Sequence, residues 1–600
     1  MKIRFYGLVM LVLTCLGCGL SYANSVTYEK ALQDWSAMKF GLFIHWGIYS
    51  IPAGVWDGKQ IEKLGEQIQR HAAIPHDDYA ALAGQFNPVK FDADAIVGLA
   101  KKAGMRYIVL TAKHHDGFCM FESAHTDFDI MDATPYKKDI LKQLAEACKK
   151  HGLKLGVYYS TPDWRFNGPH PEINPHDGKI SVFSKVSKAN EDYQVAQLKE
   201  LMTNYGDIVE LFFDMGEPTP AQSKRFADAV RDIQPDCMIN GRIMNNQGDF
   251  ITMPDNHMPD IPLTELPWES PGTFYHTWGY KSWVKGDPLE KQIPAQIRKL
   301  VTIAARGGNF LLNIGPMSDG TVVQYEQDVL NGIAEWTAKY GESVFGTGVT
   351  PFAKLPWGEC TTGDEKLYLH VFNWPEDGKI KVPGLQNPVI AVYPLSNPNK
   401  SLRYSNGVIS LNGVEQDPCD TVIVIEYEEP LNVEPVRTEP KPNGTLVLSD
   451  ATAIHHGKYG RESYRSILPD YYRTWNVGDL EAGKYDVSLV YKLKSAQKDF
   501  KLEVVGATLD FSLKGKAGKE ESFIMDGNEE VSDIVKGADG KWQKVTVGTI
   551  KVPSSGKAVL TLRQGQEFEF KATLDEFKKQ DANYRSMKLD IKALVLSKKK

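Results

Sequence analysis

From about Val26 to Tyr340, short apolar runs alternate with stretches whose apolar residues recur every three or four positions. The runs are Phe40-Gly41-Leu42-Phe43-Ile44, Tyr107-Ile108-Val109-Leu110, Leu153 to Tyr159, Ile208 to Phe213, Cys237-Met238-Ile239-Asn240 and Phe310-Leu311-Leu312-Asn313. Their length suits strands, and the periodic stretches between them suit amphipathic helices. Lys138 to Lys150 carries Ile140, Leu141, Leu144, Ala145 and Cys148 on one stripe, and Gly152 is placed to end that helix in the left-handed conformation. Strands separated by crossover helices must pair in parallel. Over this length the pattern predicts a (β/α)8-like barrel.

After Gly346 the pattern changes. Leu367 to Phe372 and Thr421 to Ile425 are strand-like runs with no helix between them, bounded by Pro-Asn and Asn-Gly turns. Residues 428–443 hold four prolines, which suits an extended linker. Alternation returns in Tyr485 to Tyr491 and Lys557 to Leu562. The expected architecture is α/β plus all-β: a signal at 1–23, a barrel over 24–345, a β-sandwich over 346–428, a linker over 429–443 and a second β-sandwich over 444–600. Trp475, Trp542, Tyr471 and Tyr472 are the aromatics that a sugar-binding module there would use, or else its core.

Composition narrows the function. The 600 residues carry 42% apolar and 24% charged residues, which are ordinary globular values, and a net charge of −7. That balance gives no basic field for nucleic acid. Lys2 and Arg4 precede an uncharged apolar run, and Ser21-Tyr22-Ala23 is a small-x-small cleavage site, so the chain reads as exported. Leu16-Gly17-Cys18 resembles a lipidation site, which would tether the protein to a membrane at Cys18. In a Gram-negative bacterium the destination would be the periplasm or, if lipidated, the outer membrane. The five cysteines beyond this segment are widely spaced and form neither a disulfide framework nor a zinc motif.

In a barrel, catalytic groups come from the C-terminal ends of strands. Here those ends carry His45-Trp46, Lys113-His114-His115-Asp116, Tyr158-Tyr159, Asp214 and Arg242, all of which would converge on one pocket. Asp214, with Arg242 or histidine protons near it, has what a carboxylate nucleophile needs. Cleavage of a glycoside by two acids requires a second carboxyl. Asp249, Glu265 and Glu269 are the downstream candidates, and Glu269 follows Trp268 ahead of the aromatic stretch Phe274 to Tyr280. Apolar walls raise a carboxyl pKa, which suits an acid. Adjacent histidines on a strand point opposite ways, so His114 and His115 are not expected to share a metal, and no metal or organic cofactor is expected.

The chain resembles the α-L-fucosidases of glycoside hydrolase family 29. The resemblance rests on FGLFIHWGIYS (40–50), GMRYIVLTAKHHDGFCMF (104–121), DATPYKKDIL (132–141), LKLGVYYS (153–160), ELFFDMG (210–216) and GGNFLLNIGPMSDG (307–320). It implies retaining hydrolysis of terminal α-L-fucose from a fucosylated glycan. By motif, Asp214 matches the nucleophile, and His45, His114, His115 and Tyr159 match positions that hold the fucose hydroxyls. Glu66 resembles a pocket glutamate, followed here by Gln67 in place of the family's usual Trp. Phe212 stands where the family often has Trp, and Arg242 resembles an arginine near the nucleophile. For the acid/base, Glu269 is the best match and Glu265 the reserve. Phe212, Trp278 and Trp56 are candidates for an apolar wall against the fucose methyl. The rival functions are an α-L-galactosidase of the same fold and a non-catalytic protein that binds fucosylated glycans.

Overall fold

The inward-facing side chains of one parallel sheet organise the N-terminal half of the chain. The computed structural model describes residues 28–166, 185–259, 261–456, 472–493, 498–513, 543–564 and 589–599. The expected signal, Cys18, Tyr471 and Trp542 lie outside those residues. Residues 28–258 and 264–347 form one compact unit, and residues from 348 onward, with 259–263, form another.

In the first unit the sheet strands are β1 (Phe40–Ile44), β2 (Tyr107–Lys113), β3 (Lys154–Ser160), β4 (Ile208–Asp214), β5 (Met238–Ile239), β6 (Ile251–Thr252), β7 (Trp268–Thr273) and β8 (Asn309–Ile314). They lie side by side in the order β5-β4-β3-β2-β1-β8-β7-β6, with parallel pairing throughout. A parallel bridge between Asn240 and Phe250 joins the β5 and β6 edges and curls the sheet on itself. This is the expected (β/α)8-like sheet, and antiparallel sheets follow it as expected. The helices that separate the strands are α1 (Ala93–Lys102), α2 (Ile140–His151), α3 (Lys188–Asn204), α4 (Pro220–Arg231) and α5 (Leu289–Ala305), and α6 (Gln324–Tyr340) follows β8.

Local chemistry sets the helix ends. The side chains of Asp92, Asp139, Ser187 and Thr219 each accept a bond from a first-turn backbone N–H, satisfying a donor that the helix itself leaves unpaired. Gly152 closes α2 at φ 75°, as its position predicts. The buried face of α2 uses Ala147 where the sequence pattern placed Ala145.

Phe43, Tyr107, Val109, Tyr158, Phe212 and Leu311 form one cluster inside the barrel. Ring centroids of Phe43 and Phe212 are 5.1 Å apart, and those of Tyr158 and Phe212 are 5.7 Å apart. The barrel is therefore a packed core with side chains in layers. Gly41 makes room for this core, because a Cβ there would lie 2.4 Å from the Tyr107 ring. The ring layer separates two polar levels. Above it, at the C-terminal ends of the strands, lies Asp214. Below it, near the strand starts, lie Glu210 and Glu269.

In the second unit, residues 358–363, 366–371, 421–427 and 389–394 make one antiparallel sheet and 379–381, 408–410 and 404–405 another. They close over a cluster that includes Trp357, Leu369 and Ile423. Beyond residue 444, a four-stranded and a five-stranded sheet enclose a separate cluster. Trp475 is fully buried there, donating to the Ser449 carbonyl, so this ring serves the core. Tyr472 stacks on His456 with centroids 4.4 Å apart.

The floor pair generates a stability prediction. Glu210 and Glu269 are fully buried; Trp35 Nε1 donates to Glu210 Oε2 at 2.9 Å and Tyr107 Oη to Glu269 Oε1 at 2.5 Å. Burial, then the neighbouring carboxyl, pushes Glu269 well above the usual carboxylate range, and burial pushes Glu210 up to about 7. Folded-state values above unfolded ones give stability that is complete below the unfolded pKa and lost as pH rises through the folded values. Glu269→Gln keeps the shape and the Tyr107 bond. It is expected to lower the loss of urea resistance between pH 5 and pH 8, measured by fluorescence against the wild type. An unchanged pH slope would contradict this account of the pair.

Candidate active site

Asp214 is the last residue of β4, and the backbone turns sharply after it. Met215 and Gly216 adopt φ of 58° and 82°, and a Cβ on Gly216 would lie 2.6 Å from Thr161 Cγ2. A left-handed methionine is strained, and such strain persists where the surroundings enforce it. The turn leaves the Asp214 carboxylate at the end of the strand, inside the barrel mouth. Arg242 Nη1 donates to Asp214 Oδ1 at 2.8 Å, and Tyr158 Oη donates to Oδ2 at 2.8 Å. His115 Nε2 lies 3.8 Å from the same Oδ2.

Arg242 follows β5 in a short 3-10 turn and is 5% exposed. Its Nη2 donates to Asp255 Oδ1 at 2.7 Å and to the Met253 carbonyl at 3.1 Å. Burial works against its charge, but Asp255 and Asp214 more than offset this and hold the guanidinium above its ordinary value. One cation therefore joins two carboxylates. The structure thus places beside Asp214 an aspartate that the sequence reading did not select. A signal existed, since Asp255 follows the apolar Phe250-Ile251 and precedes Asn256.

Three histidines gather around the carboxylate. His45 follows β1, and its ring lies 5.9 Å from that of His114. The expected opposition of His114 and His115 does not occur. Strand β2 stops at Lys113, and a turn closed by Gly117 N–H donating to the His114 carbonyl follows. Side-chain alternation ends with the strand, and the two rings lie 4.1 Å apart. Among the described residues no group of three His, Cys, Asp or Glu is arranged to hold a metal ion.

Burial pushes His45 down to about 3, against the bond to Asn313, and pushes His115 down to about 3 with help from Arg70 and Lys113. His114 is lowered well below its ordinary value for the same reason, with the other two histidines adding to it. All three are neutral near pH 7, so each ring offers one donor and one acceptor. Asn313 Nδ2 donates to the Trp278 carbonyl at 2.8 Å, which turns Asn313 Oδ1 toward His45 Nδ1 at 2.7 Å. His45 therefore donates from Nδ1 and keeps Nε2 as an acceptor. Ser160 donates to the Pro162 carbonyl and accepts from His115 Nδ1 at 2.6 Å, which gives His115 the same tautomer.

Glu66 is buried beside Trp278 and Gly279. Its Oε2 accepts from Trp278 N, Gly279 N and Thr277 Oγ1 at 3.0, 2.9 and 3.1 Å. Its buried Oε1, like His114 Nδ1, has no hydrogen-bond partner among the described residues. Burial raises the Glu66 carboxyl in spite of those donors. Buried polar groups are normally satisfied, so atoms left open at a pocket mark where a ligand's groups bond. The half-buried Trp278 packs on His45 with centroids 5.0 Å apart, and half-exposed Trp56 lies in the hairpin of residues 55–60.

Four sequence-selected residues fall elsewhere. Tyr159 faces the helix layer: its hydroxyl donates to Gln197 on α3 at 2.7 Å, and its neighbour Tyr158 takes the inward position. Strand alternation explains the swap, since Tyr158 pairs with Phe212 and Ser160 with Asp214. Glu269 is the second residue of β7, opposite Asn309 at the very start of β8, beneath the ring layer and bonded to Tyr107. Exposed Glu265 precedes β7. Both carboxyls belong to the strand-start end, away from Asp214. Phe212 is 1% exposed and lies within the ring layer, under Arg242 at 5.4 Å.

The family model for Alpha-L-fucosidase matches residues 21–342. The chain belongs to the α-L-fucosidase family. The fucosidase is 28% identical to the tissue α-L-fucosidase of Rattus norvegicus over 449 residues, 68% of this chain and 89% of that one. Its structure resembles the α-L-fucosidase of a Vibrio strain, with TM-score 0.68 and 26% identity over 95% of this chain and 98% of the other. It also resembles a family 29 fucosidase from Bacteroides thetaiotaomicron, solved as a trapped covalent intermediate in complex with 2-fluoro-fucosyl fluoride. That match has TM-score 0.59 and 26% identity over 67% of this chain and 96% of that one. The fucosidase is a glycoside hydrolase.

The Tyr158–Asp214 bond yields a direct comparison. A hydrogen bond to a charged group contributes about 1.5–3 kcal/mol. Tyr158→Phe is therefore expected to lower kcat/KM by about tenfold or more, whereas Tyr159→Phe leaves kcat/KM near wild type and lowers thermal stability. Kinetics and melting curves of the two variants check this; the reverse ranking would refute the assignment.

Proposed function

We propose that this fucosidase is an exo-acting, retaining enzyme that removes terminal α-L-fucose from glycans or oligosaccharides, with Asp214 as the nucleophile. The observation that carries the proposal is the setting of the Asp214 carboxylate. It ends a barrel strand, is paired with the buried Arg242, bonded by Tyr158 and neighboured by three neutral histidines. The covalent intermediate trapped in the Bacteroides relative supports a double displacement in this family.

In this reading fucose enters with its anomeric carbon toward Asp214. Its hydroxyls bond His45, His114, His115 and Glu66, whose open atoms can accept or donate as each hydroxyl requires. Asp214 attacks the anomeric carbon and water then releases the sugar with its original configuration. Trp278 supplies an apolar face for the carbon-6 methyl. A pocket that accepts a methyl discriminates only modestly against a hydroxymethyl, by about 10–200-fold, so α-L-galactosides act as slow substrates. The export signal read in residues 1–23 fits a glycan substrate outside the cytoplasm.

Release of p-nitrophenol from its α-L-fucoside tests the proposal. Wild type is expected to turn over, with Asp214→Ala reducing kcat by at least about 10³-fold, as the loss of a nucleophile does. NMR of the first-formed sugar is expected to show α-fucose. A first-formed β-anomer, near-normal activity of Asp214→Ala, or faster cleavage of the α-L-galactoside would each overturn the corresponding part.

A further inference from the structure

We infer that Asp255 is the acid/base of the reaction, giving its proton to the departing oxygen and later taking one from water. The inference rests on Asp214 as nucleophile and assigns the one role for which the sequence offered Glu269 and Glu265.

Position is the first argument. Asp255 follows β6 at its C-terminal end, the end at which barrel enzymes carry their chemistry, and the end where Asp214 closes β4. Glu269 lies at the opposite end, sealed against Tyr107 and Glu210.

Spacing is the second. The two amino nitrogens of one guanidinium reach Asp214 at 2.8 Å and Asp255 at 2.7 Å. A carboxyl pair held one guanidinium apart matches the roughly 5–5.5 Å of retaining glycosidases better than the roughly 6.5–9.5 Å that leaves room for an attacking water.

Rigidity is the third. Asn256, at φ 59°, fastens the loop to β7: its N–H donates to the Pro271 carbonyl at 2.9 Å, and its Oδ1 accepts from Thr273 N at 2.9 Å. Ser270 Oγ donates to the next carbonyl, that of His257, at 2.5 Å. A catalytic acid must hold its geometry within fractions of an ångström, and three bonds to a strand provide that.

Exposure is the fourth. The Asp214 side chain is 10% exposed and that of Asp255 46%. The buried carboxylate suits attack on the sugar's enclosed face, and the exposed one suits the side on which the leaving group departs and water enters. Asp255 also faces the pocket, since its charge acts on His45.

The steps balance. In the first, the Asp255 carboxyl proton passes to the glycosidic oxygen as the C1–O bond breaks and an Asp214 oxygen bonds C1. In the second, Asp255 carboxylate removes a proton from water, whose oxygen bonds C1 as the bond to Asp214 breaks.

The competing role is that of a counter-charge for Arg242. Asp255→Asn separates the two, since its amide oxygen still accepts from Arg242 but carries no acidic proton. The assignment predicts a loss of about 10²–10⁴-fold on an alkyl α-L-fucoside, whose leaving group needs protonation, and a much smaller effect on the first step with p-nitrophenyl α-L-fucoside. Azide is expected to speed turnover of the activated substrate and yield α-L-fucosyl azide, because azide enters where water would. Asp255→Glu, which keeps a carboxyl, is expected to recover part of the alkyl-fucoside activity at an unchanged melting temperature. Equal losses on both substrates with no azide product would overturn the assignment. Failure of Asp214 as nucleophile would show differently, as an Asp214→Ala variant with near-normal turnover.

Discussion

The pocket depends on a buried positive charge. Arg242 lies on the ring of Phe212 and is 5% exposed, and a cation so placed is tolerated only when opposite charge and hydrogen bonds meet it. Asp214, Asp255 and the Met253 carbonyl supply them. These partners come from the end of β4 and from the loop after β6, so pairing the charge, carried by the turn after β5, brings three separate chain segments together. Tyr158 and the histidines are then arranged around a carboxylate whose position is already set.

The same barrel holds a second pair of carboxyls in a contrasting setting. Glu210 and Glu269 face each other below the ring layer with no ion pair to either among the described residues, and burial keeps their pKa values high. Glu210 and Asp214 share one strand and one face, four residues apart. What differs is the level. Beneath the rings the two carboxyls bond Trp35, Tyr107 and each other; above them there is a guanidinium and an opening. Environment rather than residue type separates a structural carboxyl from a reactive one.

The fold was legible where strands are long. Runs of four to six apolar residues announced β1, β2, β3, β4 and β8, because a strand covered on both faces is apolar along its length. Strands β5 and β6 have two residues each; the run Cys237 to Asn240 still announced β5, whereas β6 leaves too little pattern to read. Missing β6 hid Asp255, because a residue is recognised at a strand end only if the strand is recognised. Glu269 shows the converse: Trp268-Glu269 looked like the approach to an aromatic pocket but is the start of β7. Tyr158 and Tyr159 differ by one position, and pairing register, which is set by neighbouring strands, decides which faces inward. The closeness of His114 and His115 was not legible, because the turn after Lys113 frees them from the strand alternation that the sequence pattern implies.

The site is thus a barrel mouth in which a positive charge holds two carboxylates and neutral rings line the place proposed for the sugar. Its central claim is that the bond to sugar forms at Asp214. The most direct measurement is to incubate the fucosidase with 2-fluoro-fucosyl fluoride, digest the protein and locate the sugar adduct by tandem mass spectrometry. The account predicts a single adduct on Asp214, within the peptide containing Phe213 and Met215. An adduct on Asp255, Glu66 or any other carboxylate would contradict it.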